Sequence, residues 1–471
     1  MKQLVLKEQL SQGLRVFEDS VRNNGRAVEL VNAVTCPVGL VPWKEVASDE
    51  LTPAPTWPFP QMAQLHGDYY IFGESNIWRV DSYEGPEDIL LDFDPGGQWH
   101  LAELENAIVG TNGVNIVVIH NADSCYAIDM AVTTLCSFRG RLVLGGVEGM
   151  LESWAEDYDV PSLSSRHVLW LPISGPGLML VTNPTTYVDW WNLETGRSDT
   201  LAEVLGDIVE RNELGWKELD SDIQRVLSVD SGVVAYCSKS VWAMMPMSGE
   251  NPGFGTRRIL NVGSGERGCA GGNTRQHIFV DESGRHWTVD GSFGVQTLYY
   301  DGLVVGEVVI SQNEKDSSYY VADSSKTLVL TPSGMSEVRE SISAMTSALN
   351  TEGYPYGYSY GITDDNFYYK TDVIDFGMEG MKTLHSVRLI YDSPNRMDVK
   401  VHYKDDVSGN FRSLGWQTVD ALGVIDTPIS SSAVYLELRN SSYIGLRLHE
   451  IKILFSESGK QNSKHTFKRV G

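Results

Sequence analysis

The chain has 471 residues, 42% of them hydrophobic, so it can form two or three domains or one large repeat fold with a sizeable core. It carries 62 Asp and Glu against 37 Lys and Arg, a net charge of −25. This balance argues against tight nucleic-acid binding by the bulk surface, because gripping phosphates requires a basic surface. An acidic wall can still line a path for DNA, since it repels phosphates and prevents sticking.

The N-terminal sequence MKQLVLKEQLSQG has scattered charges and no apolar core, which argues against a signal peptide. Residues 168–187 lack charge, but Pro172, Pro176 and Pro184 argue against a membrane helix there. The five cysteines are odd in number and show no CxxC spacing, which argues against a disulfide framework and a zinc site. We therefore expect buried free thiols in a protein that folds in a reducing cytoplasm.

A short apolar strand, a turn and a second strand with an aromatic or aliphatic residue recur along the chain. Copies stand at 68–80 (DYYIFGESNIWRV), 233–242 (VVAYCSKSVW) and 277–289 (HIFVDESGRHWTV). Most recurrences are about 40–55 residues apart, the range of β-propeller blades. They lack the Gly-His and Trp-Asp pairs of WD40 repeats. The pattern predicts an all-β protein built on a diverged β-propeller of roughly five to seven blades.

Small or polar residues separate the two strands of most copies, and such residues tolerate the backbone of a tight hairpin. Trp78, Trp242 and Trp287 lie on the second strand of the three copies quoted above. We expect these rings to pack between neighbouring blades, because residues at equivalent places in every blade usually belong to the core. A ring of ligand-stacking tryptophans is the alternative.

The predicted propeller spans residues 1–365. An N-terminal strand, ahead of the Pro-rich residues 51–60, would complete the last blade and remove open sheet edges. Helical insertions are predicted near 199–213, following Ser198 as N-cap, and near 336–349. The apolar residues that share a helical face are Leu201, Val204, Leu205, Ile208 and Val209 in the first, and Val338, Ile342, Met345 and Leu349 in the second. Each helix could cover its own blade or project to a neighbouring protein.

Residues 366–456 change to strict alternation and predict a C-terminal β-sandwich. Met397, Val399, Val401 and Tyr403 alternate with charged or polar residues, and a phase slip at His449 and Glu450 predicts a bulge. Residues 457–471 are polar and mildly basic, which predicts a tail that is disordered alone or docks on a partner.

The sequence contains no P-loop, GxSxG, HExxH or GxGxxG in a usable context. His66, His100, His120 and His167 show no metal-ligand spacing. Asp92 and Asp94 stand beside glycines, but a calcium loop would need further ligands, so a turn is the preferred interpretation. We therefore predict a non-enzymatic protein without catalytic, cofactor-binding or metal-binding residues and without a cofactor.

Residues 280–287, VDESGRHW, resemble the Asp-box of sialidases, Ser-x-Asp-x-Gly-x-x-Trp. They depart from it at Val280 and Glu282, and the box is a structural turn in that family. A sialidase-like site would also need an arginine cluster with a Tyr/Glu pair. The arginines near this segment in the chain are Arg257, Arg258, Arg267 and Arg275.

Three further stretches resemble the tail nozzle, or packaged-DNA stabilisation, proteins of short-tailed bacteriophages. Residues 257–268 (RRILNVGSGERG), leading into 277–284 (HIFVDESG), are similar to the start of a blade and its Phe-x-Asp-x-x-Gly hairpin. Residues 335–349 resemble the helical segment that follows a late blade, and residues 368–387 resemble the start of the C-terminal sandwich. The N-terminal third matches least well.

The resemblance implies a phage virion protein that assembles as a ring, expected to be a homohexamer, in the host cytoplasm. It would extend the tail below the head-to-tail adaptor, contact tail needle, fibre or spike proteins, retain packaged DNA and form the ejection channel. DNA would pass an acidic lumen without tight binding. Two alternatives stay open: a carbohydrate-binding or glycan-cleaving, sialidase-like propeller with an accessory sandwich, and a scaffold propeller of the bacterial cytoplasm.

Overall fold

The computed structural model describes residues 1–14, 26–43, 61–81, 85–90, 93–104, 106–121, 124–148, 163–173, 177, 179–180, 183–247, 253–266, 268–304, 306–313, 317–349, 355–360, 366–377, 380–405 and 409–457. The chain divides into two compact units. The sandwich unit comprises Met1–Lys44, Lys326–Glu340 and Gly361–Gly471. The propeller unit comprises Glu45–Ser325 and Ser341–Tyr360.

The N-terminal segment supplies four strands and a short helix to the sandwich unit. These are β1 (Lys2–Leu6), α1 (Glu8–Gln12), β2 (Ala27–Val31), β3 (Ala33–Cys36) and β4 (Gly39–Pro42).

Five four-stranded antiparallel sheets then follow one another and form blades 1 to 5 of the propeller unit. Blade 1 is β5 (Gln61–Leu65), β6 (Asp68–Phe72), β7 (Ile77–Asp81) and β8 (Gly85–Leu90); blade 2 is β9 (His100–Leu104), β10 (Ala107–Thr111), β11 (Asn115–Asn121) and β12 (Ser124–Asp129); blade 3 is β13 (Ala131–Phe138), β14 (Arg141–Glu148), β15 (His167–Ile173) and β16 (Gly215–Glu218); blade 4 is β17 (Ile223–Val229), β18 (Gly232–Cys237), β19 (Val241–Pro246) and β20 (Phe254–Leu260); blade 5 is β21 (Ala270–Gly272), β22 (Gln276–Val280), β23 (Arg285–Asp290) and β24 (Val295–Asp301).

Two hairpins occupy two further blade positions of this unit. The first is β25 (Val309–Asn313) with β26 (Ser318–Ala322); then β27 (Thr327–Leu330) and β28 (Met335–Val338) belong to the sandwich unit, and the second hairpin is β29 (Ser341–Leu349) with β30 (Pro355–Tyr360). The innermost strands β5, β9, β13, β17, β21, β25 and β29 each pack against the next, and β29 packs against β5. Within the described strands the ring therefore closes with seven positions, at the upper end of the predicted range.

The second strand of a blade is largely buried because neighbouring blades cover both of its faces. All residues of β10, β18 and β26 are buried, and β14 is buried up to its last residue. This explains why the apolar runs of the hairpin repeat are continuous and show little alternation.

The helices whose bounds lie within the described residues between β15 and β16 are α2 (Pro184–Thr195) and α3 (Leu201–Glu210). Asn183 caps α2, and Thr200 forms a capping box with Glu203 at the start of α3. The buried faces of both helices join the apolar cluster of blades 2 and 3. The helix predicted near 199–213 is thus confirmed with Thr200, not Ser198, as its cap, and it covers a blade; α2 was not predicted.

None of the helices in the described residues has the length and apolar composition needed to cross a membrane.

The C-terminal part contributes seven strands to the sandwich unit. These are β31 (Phe367–Thr371), β32 (Lys382–Asp392), β33 (Asp398–Lys404), β34 (Phe411–Thr418), β35 (Val424–Ser431), β36 (Val434–Asn440) and β37 (Arg447–Glu457). One sheet of the unit runs β27-β28-β2-β31-β36-β33-β34, and the other runs β3-β4-β37-β32-β35 with β1 paired to β37. The bulge predicted at His449 and Glu450 is present where the register of β37 against β32 shifts.

The N-terminal strands do not close the propeller, contrary to the prediction. Strand β1 pairs with β37 along its whole length, and β2 pairs with β31. The reason is that β1 finds an antiparallel partner in the 11-residue strand β37 and β2 finds one in β31, and the inward faces of both partners are buried in the C-terminal sandwich. The single domain predicted for 1–365 is therefore wrong at its N-terminus and between Lys326 and Glu340. The Pro-rich residues 51–60 and the tail from 458 onwards lie outside the described residues.

The helix predicted near 336–349 is also wrong, because this segment forms β28 and β29. A turn at Arg339 and Glu340 separates the strands, and the pairing of β29 with β30 shifts register twice, after Ile342 and after Met345. Each shift breaks the two-residue alternation, so the apolar residues fall by coincidence at helix-like spacing.

Candidate functional site

A cavity of about 720 Å³ lies beside the innermost strands of blades 2 to 5. It is bordered by β9, β13 and β17 and by the turn after β21. Among the described residues that line it, only Glu103 and Arg275 carry charge; the others are apolar, small or uncharged polar side chains. A glycosidase needs two carboxylates at a defined separation, and the described lining contains one. Arg257 and Arg258 lie on the outermost strand β20, away from the turn that holds Arg275, and Arg267 is outside the described residues.

A buried polar cluster joins blades 4 and 5. The Nδ1 atom of His277 lies 3.0 Å from the Tyr236 hydroxyl, and its Nε2 lies 3.0 Å from the Ser228 carbonyl oxygen. Burial lowers the pKa of His277 to about 4, so the ring is neutral near pH 7 and donates from Nε2 to the carbonyl. Burial also lowers the pKa of Arg225 to about 10. These contacts connect strands of two blades, and we assign the cluster a structural role.

The repeated tryptophans belong to the core of the propeller unit. Trp242 packs on the apolar cluster between blades 3 and 4, and Trp287 packs on the cluster between blades 4 and 5. Trp78 is buried beside Gly73. The prediction that Trp242 and Trp287 pack between blades is confirmed.

The Asp-box-like segment forms the hairpin between β22 and β23. Oδ1 of Asp281 accepts hydrogen bonds from the Ser283 and Arg285 backbone amides at 2.8 and 3.0 Å, and Oδ2 accepts from the Trp287 indole at 2.8 Å. Burial opposes ionisation of Asp281, but these hydrogen bonds outweigh it and hold its pKa below the ordinary value. Gly284 takes a φ of +77°, which the tight turn requires. The segment is a structural turn.

The other residues considered from the sequence are dispersed. His100 and His167 are buried, His120 is half-buried and His66 is exposed. Asp94 lies in a loop, and its backbone carbonyl oxygen accepts hydrogen bonds from the side-chain amides of Asn112 and Asn115. Asp92 is outside the described residues. Within the described part of the chain, no group of three or more His, Cys, Asp or Glu is placed to hold a metal ion.

All five cysteines are free thiols, but the predicted burial holds for only three of them. Cys136, Cys237 and Cys269 are buried, whereas Cys36 and Cys125 are half-buried. Burial raises the pKa of Cys136 to about 12 and that of Cys125 and Cys269 to about 11, so these thiols are protonated and unreactive at neutral pH.

The sandwich unit presents a surface that combines cations and aromatic rings, which we call the basic–aromatic face: Tyr368, Lys370, Lys400, Trp416, Tyr435 and Arg439. Cross-strand pairing places these residues on one side of β31, β36, β33 and β34, since Tyr368 pairs with Arg439, and Lys400 pairs with Trp416. The alternate residues Tyr369, Leu438 and Val399 are buried on the other side.

Cations cover the aromatic rings of this face. The Arg439 guanidinium carbon lies 4.2 Å from the Trp416 ring centroid, and the Lys400 ammonium lies 5.7 Å from it. The Lys370 ammonium lies 5.6 Å from the Tyr435 ring. The rings are therefore engaged by charged side chains, which disfavours sugar stacking on them.

One end of the face opens into a cavity of about 500 Å³, which we call the arginine socket. Its lining is Glu29, Arg339, Asn366, Phe367, Tyr368, Arg396, Asp398, Arg439, Asn440 and Ser441. Arg439 Nε lies 3.1 Å from Asp398 Oδ2, and the Thr418 hydroxyl lies 2.7 Å from Asp398 Oδ1. Burial, helped by the Glu437 and Glu29 carboxylates, raises the pKa of Tyr368, so its hydroxyl stays protonated at neutral pH.

Sequence inspection missed the socket because its members come from distant parts of the chain. Glu29 lies on β2 and Arg439 on β36, and Arg396 precedes β33. The one local signal was the charged half of the alternation around Asp398, Lys400 and His402, which predicted an exposed strand face but not its partners.

The net charge is segregated between the two units. The propeller segments Glu45–Ser325 and Ser341–Tyr360 contain 42 Asp and Glu against 15 Lys and Arg, a net charge of −27. The sandwich segments contain 20 acidic and 22 basic residues, a net charge of +2. The acidity of the whole chain is thus a property of the propeller unit.

No family model matches the chain, and no curated protein matches its sequence. Among solved structures, it is similar to PorZ of Porphyromonas gingivalis, with 9% identity and a TM-score of 0.37 over 73% of this chain and 44% of PorZ. It is also similar to the β-propeller domain of Cps50 (Swd1) from Myceliophteria thermophila, with 5% identity and a TM-score of 0.37 over 62% of this chain and 90% of that one. For Hsv2 of Kluyveromyces lactis the identity is 8% and the TM-score 0.33, over 64% and 84% of the two chains. The chain spans less than half of PorZ, and none of these three is a phage tail nozzle protein.

Proposed function

We propose that this chain is a structural protein of a phage virion tail, a ring-forming nozzle component that extends the adaptor, retains packaged DNA and forms the ejection channel. The sequence resemblance supports this in two places, residues 257–268, which begin on β20, and residues 368–387, which begin on β31 and end on β32. The third place, residues 335–349, resembles a helical segment of those proteins but contains β28 and β29 here, so it gives no support. The proposal assigns no catalytic residue and no cofactor.

The observation that carries the proposal is the charge of the propeller unit, −27 against +2 for the sandwich unit. A channel for DNA needs a wall that does not hold phosphates, and a strongly acidic wall meets that requirement by repulsion. A propeller is also a rigid body with broad side surfaces, which suits repeated contacts around a ring.

In this role the chain forms a homo-oligomeric ring, expected to be a hexamer, during assembly in the host cytoplasm, and it is located in the tail of the mature virion. Its partners are the head-to-tail adaptor and the tail needle, fibre or spike proteins. DNA passes through the ring without tight binding.

The test combines mass spectrometry of purified virions with electron microscopy of the chain mixed with its adaptor. We expect the chain in the virion and a ring of defined copy number under the adaptor. Absence from virions, or a strictly monomeric state in the assembled particle, would refute the proposal. Release of sugars from host-surface glycans by the purified chain would favour the glycan-cleaving alternative instead.

A further inference from the structure

A closed ring of identical copies needs two different surfaces on each copy, because every contact in it joins one patch to another. Resting on the proposed function, we infer that the arginine socket is one of these surfaces and that it binds a carboxylate of the acidic propeller unit of a second copy. The two units provide opposite charge balances for such a contact, +2 and −27.

Arg396 is the residue of the socket that we expect to contact the second copy. Its side chain is exposed and lines the cavity, and its guanidinium forms no hydrogen bond or ion pair with any residue that the structure describes. A guanidinium binds a carboxylate through two parallel N–H···O hydrogen bonds, and such pairs are stronger than neutral hydrogen bonds. Arg396 is therefore available to an incoming acidic side chain.

Another part of the socket lining is held in a defined position. Arg439 is fixed between Asp398 Oδ2 at 3.1 Å and the Trp416 ring at 4.2 Å, and Tyr368 stands opposite Arg439 on the adjacent strand. Tyr, Trp and Arg are the residue types that dominate binding energy at protein interfaces. Preorganised side chains lose little conformational entropy when a partner binds.

Charge complementarity favours a second copy over DNA. The socket contains Glu29 and Asp398 beside its three arginines, and Glu437 lies on the adjoining face 3.5 Å from Lys400. This leaves room for individual carboxylates, but the interspersed acids oppose a continuous row of phosphates. Asp and Glu are most abundant in the propeller unit, which every additional copy carries.

The experiment is a charge reversal, Arg396→Glu, in the full chain. Its matched control is Arg412→Glu, which reverses an exposed arginine of the same unit that lies outside the socket and pairs with Asp405 at 2.8 Å. Copy–copy affinity is measured by mass photometry and sedimentation at about 50 and about 500 mM NaCl. We expect Arg396→Glu to weaken association about tenfold or more and to reduce its salt dependence, and Arg412→Glu to leave association near the wild-type value.

Normal thermal unfolding of both variants would show that the change acts on association. Wild-type affinity in Arg396→Glu, while the wild-type chain forms rings, would overturn the socket inference and leave the proposed function standing. Rings that depend on Arg396 in a protein absent from virions would refute the proposed function and support the socket. Loss of binding to a DNA duplex in Arg396→Glu, with association unchanged, would also overturn the inference.

Discussion

The propeller and sandwich units are both built from antiparallel strands, yet they use the chain in opposite ways. In blades 1 to 5, each strand pairs with its immediate neighbours in the sequence. In the sandwich unit, β1 pairs with β37 and β2 with β31, so partners stand several hundred residues apart. Local pairing leaves a visible repeat in the sequence, whereas distant pairing leaves only alternation. Distant pairing also requires closing long loops, which costs more chain entropy.

The units differ equally in charge, with −27 in the propeller unit and +2 in the sandwich unit. The propeller unit has 42 acidic residues for 15 basic ones, and some of the acids accept hydrogen bonds inside hairpins, as Asp281 and Asp290 do. In the sandwich unit, acids and bases are interleaved in pairs, as for Asp398 with Arg439 and Glu437 with Lys400. A surface of one sign suits repulsion, and an interleaved surface suits specific contact.

Removing residues 1–44 should produce the largest difference in stability between the two units. A chain that starts at residue 45 loses β1 to β4 and with them the buried Leu6, Leu30 and Leu40. Each lost leucine costs about 2–5 kcal/mol, so the sum exceeds much of the stability of a typical domain. We expect the sandwich residues to become sensitive to limited proteolysis, with propeller fragments surviving longer. Val5→Thr, at a 41% exposed position of β1, is the control and should change little. Equal protection of both units would contradict the distant pairing.

Matched core truncations probe whether both units are packed to the same density. Phe279 lies between blades 4 and 5, with its ring 5.2 Å from that of Tyr236, and Phe367 is fully buried in the sandwich unit. Each change to alanine should lower the free energy of unfolding by about 3–5 kcal/mol, as measured in urea. A cost below about 1 kcal/mol at either site would show that its unit is loosely packed.

Acid should destabilise the propeller unit through His277. Its folded pKa of about 4 lies below the ordinary value, so above pH 6.5 the ring is neutral in both states and the effect is absent. As pH falls from about 6.5 towards 4, the unfolded state binds a proton that the folded state does not, and up to about 3 kcal/mol of stability is lost. Denaturation of His277→Gln at pH 7.5 and 4.5 should show a shallower pH dependence than the wild type. His66→Asn, at an exposed turn, should retain the wild-type slope; an unchanged slope in His277→Gln would contradict the assignment.

Removing the Asp281 carboxylate should have a smaller effect. Asp281→Ala leaves the indole N–H of Trp287 and two backbone amides without their acceptor, and should cost about 2 kcal/mol. The matched change in the sandwich unit, Asp398→Ala, removes an exposed pair with Arg439 and should cost less than about 1 kcal/mol. The thermal unfolding midpoints of the two variants measure the two costs. A larger decrease for Asp398→Ala than for Asp281→Ala would contradict the expected ranking of the two carboxylates.

The sequence predicted those parts of the fold that depend on residues close together in the chain. The hairpin repeat predicted the blades, the alternation around Val399 and Val401 predicted the sandwich strands, and the slip at His449 predicted a bulge that is present. It failed for 336–349, where register shifts in β29 imitate helical spacing, and for the N-terminal strands, whose partners are at the other end of the chain. The socket was not predicted because its residues are also far apart in the chain: only strand pairing brings Glu29, Arg396 and Arg439 together.

By itself, the sequence determined the strand-rich composition, the recurring hairpins, the free thiols and the overall acidity, because each depends on residue type or on spacing within a few residues. Only the tertiary structure decided that the ring closes with seven positions, that the N-terminus completes the sandwich, and that nearly all net charge belongs to one unit. These properties depend on which distant strands pair. A periodic pattern shows which face of a strand is buried, but it does not select the partner that buries it.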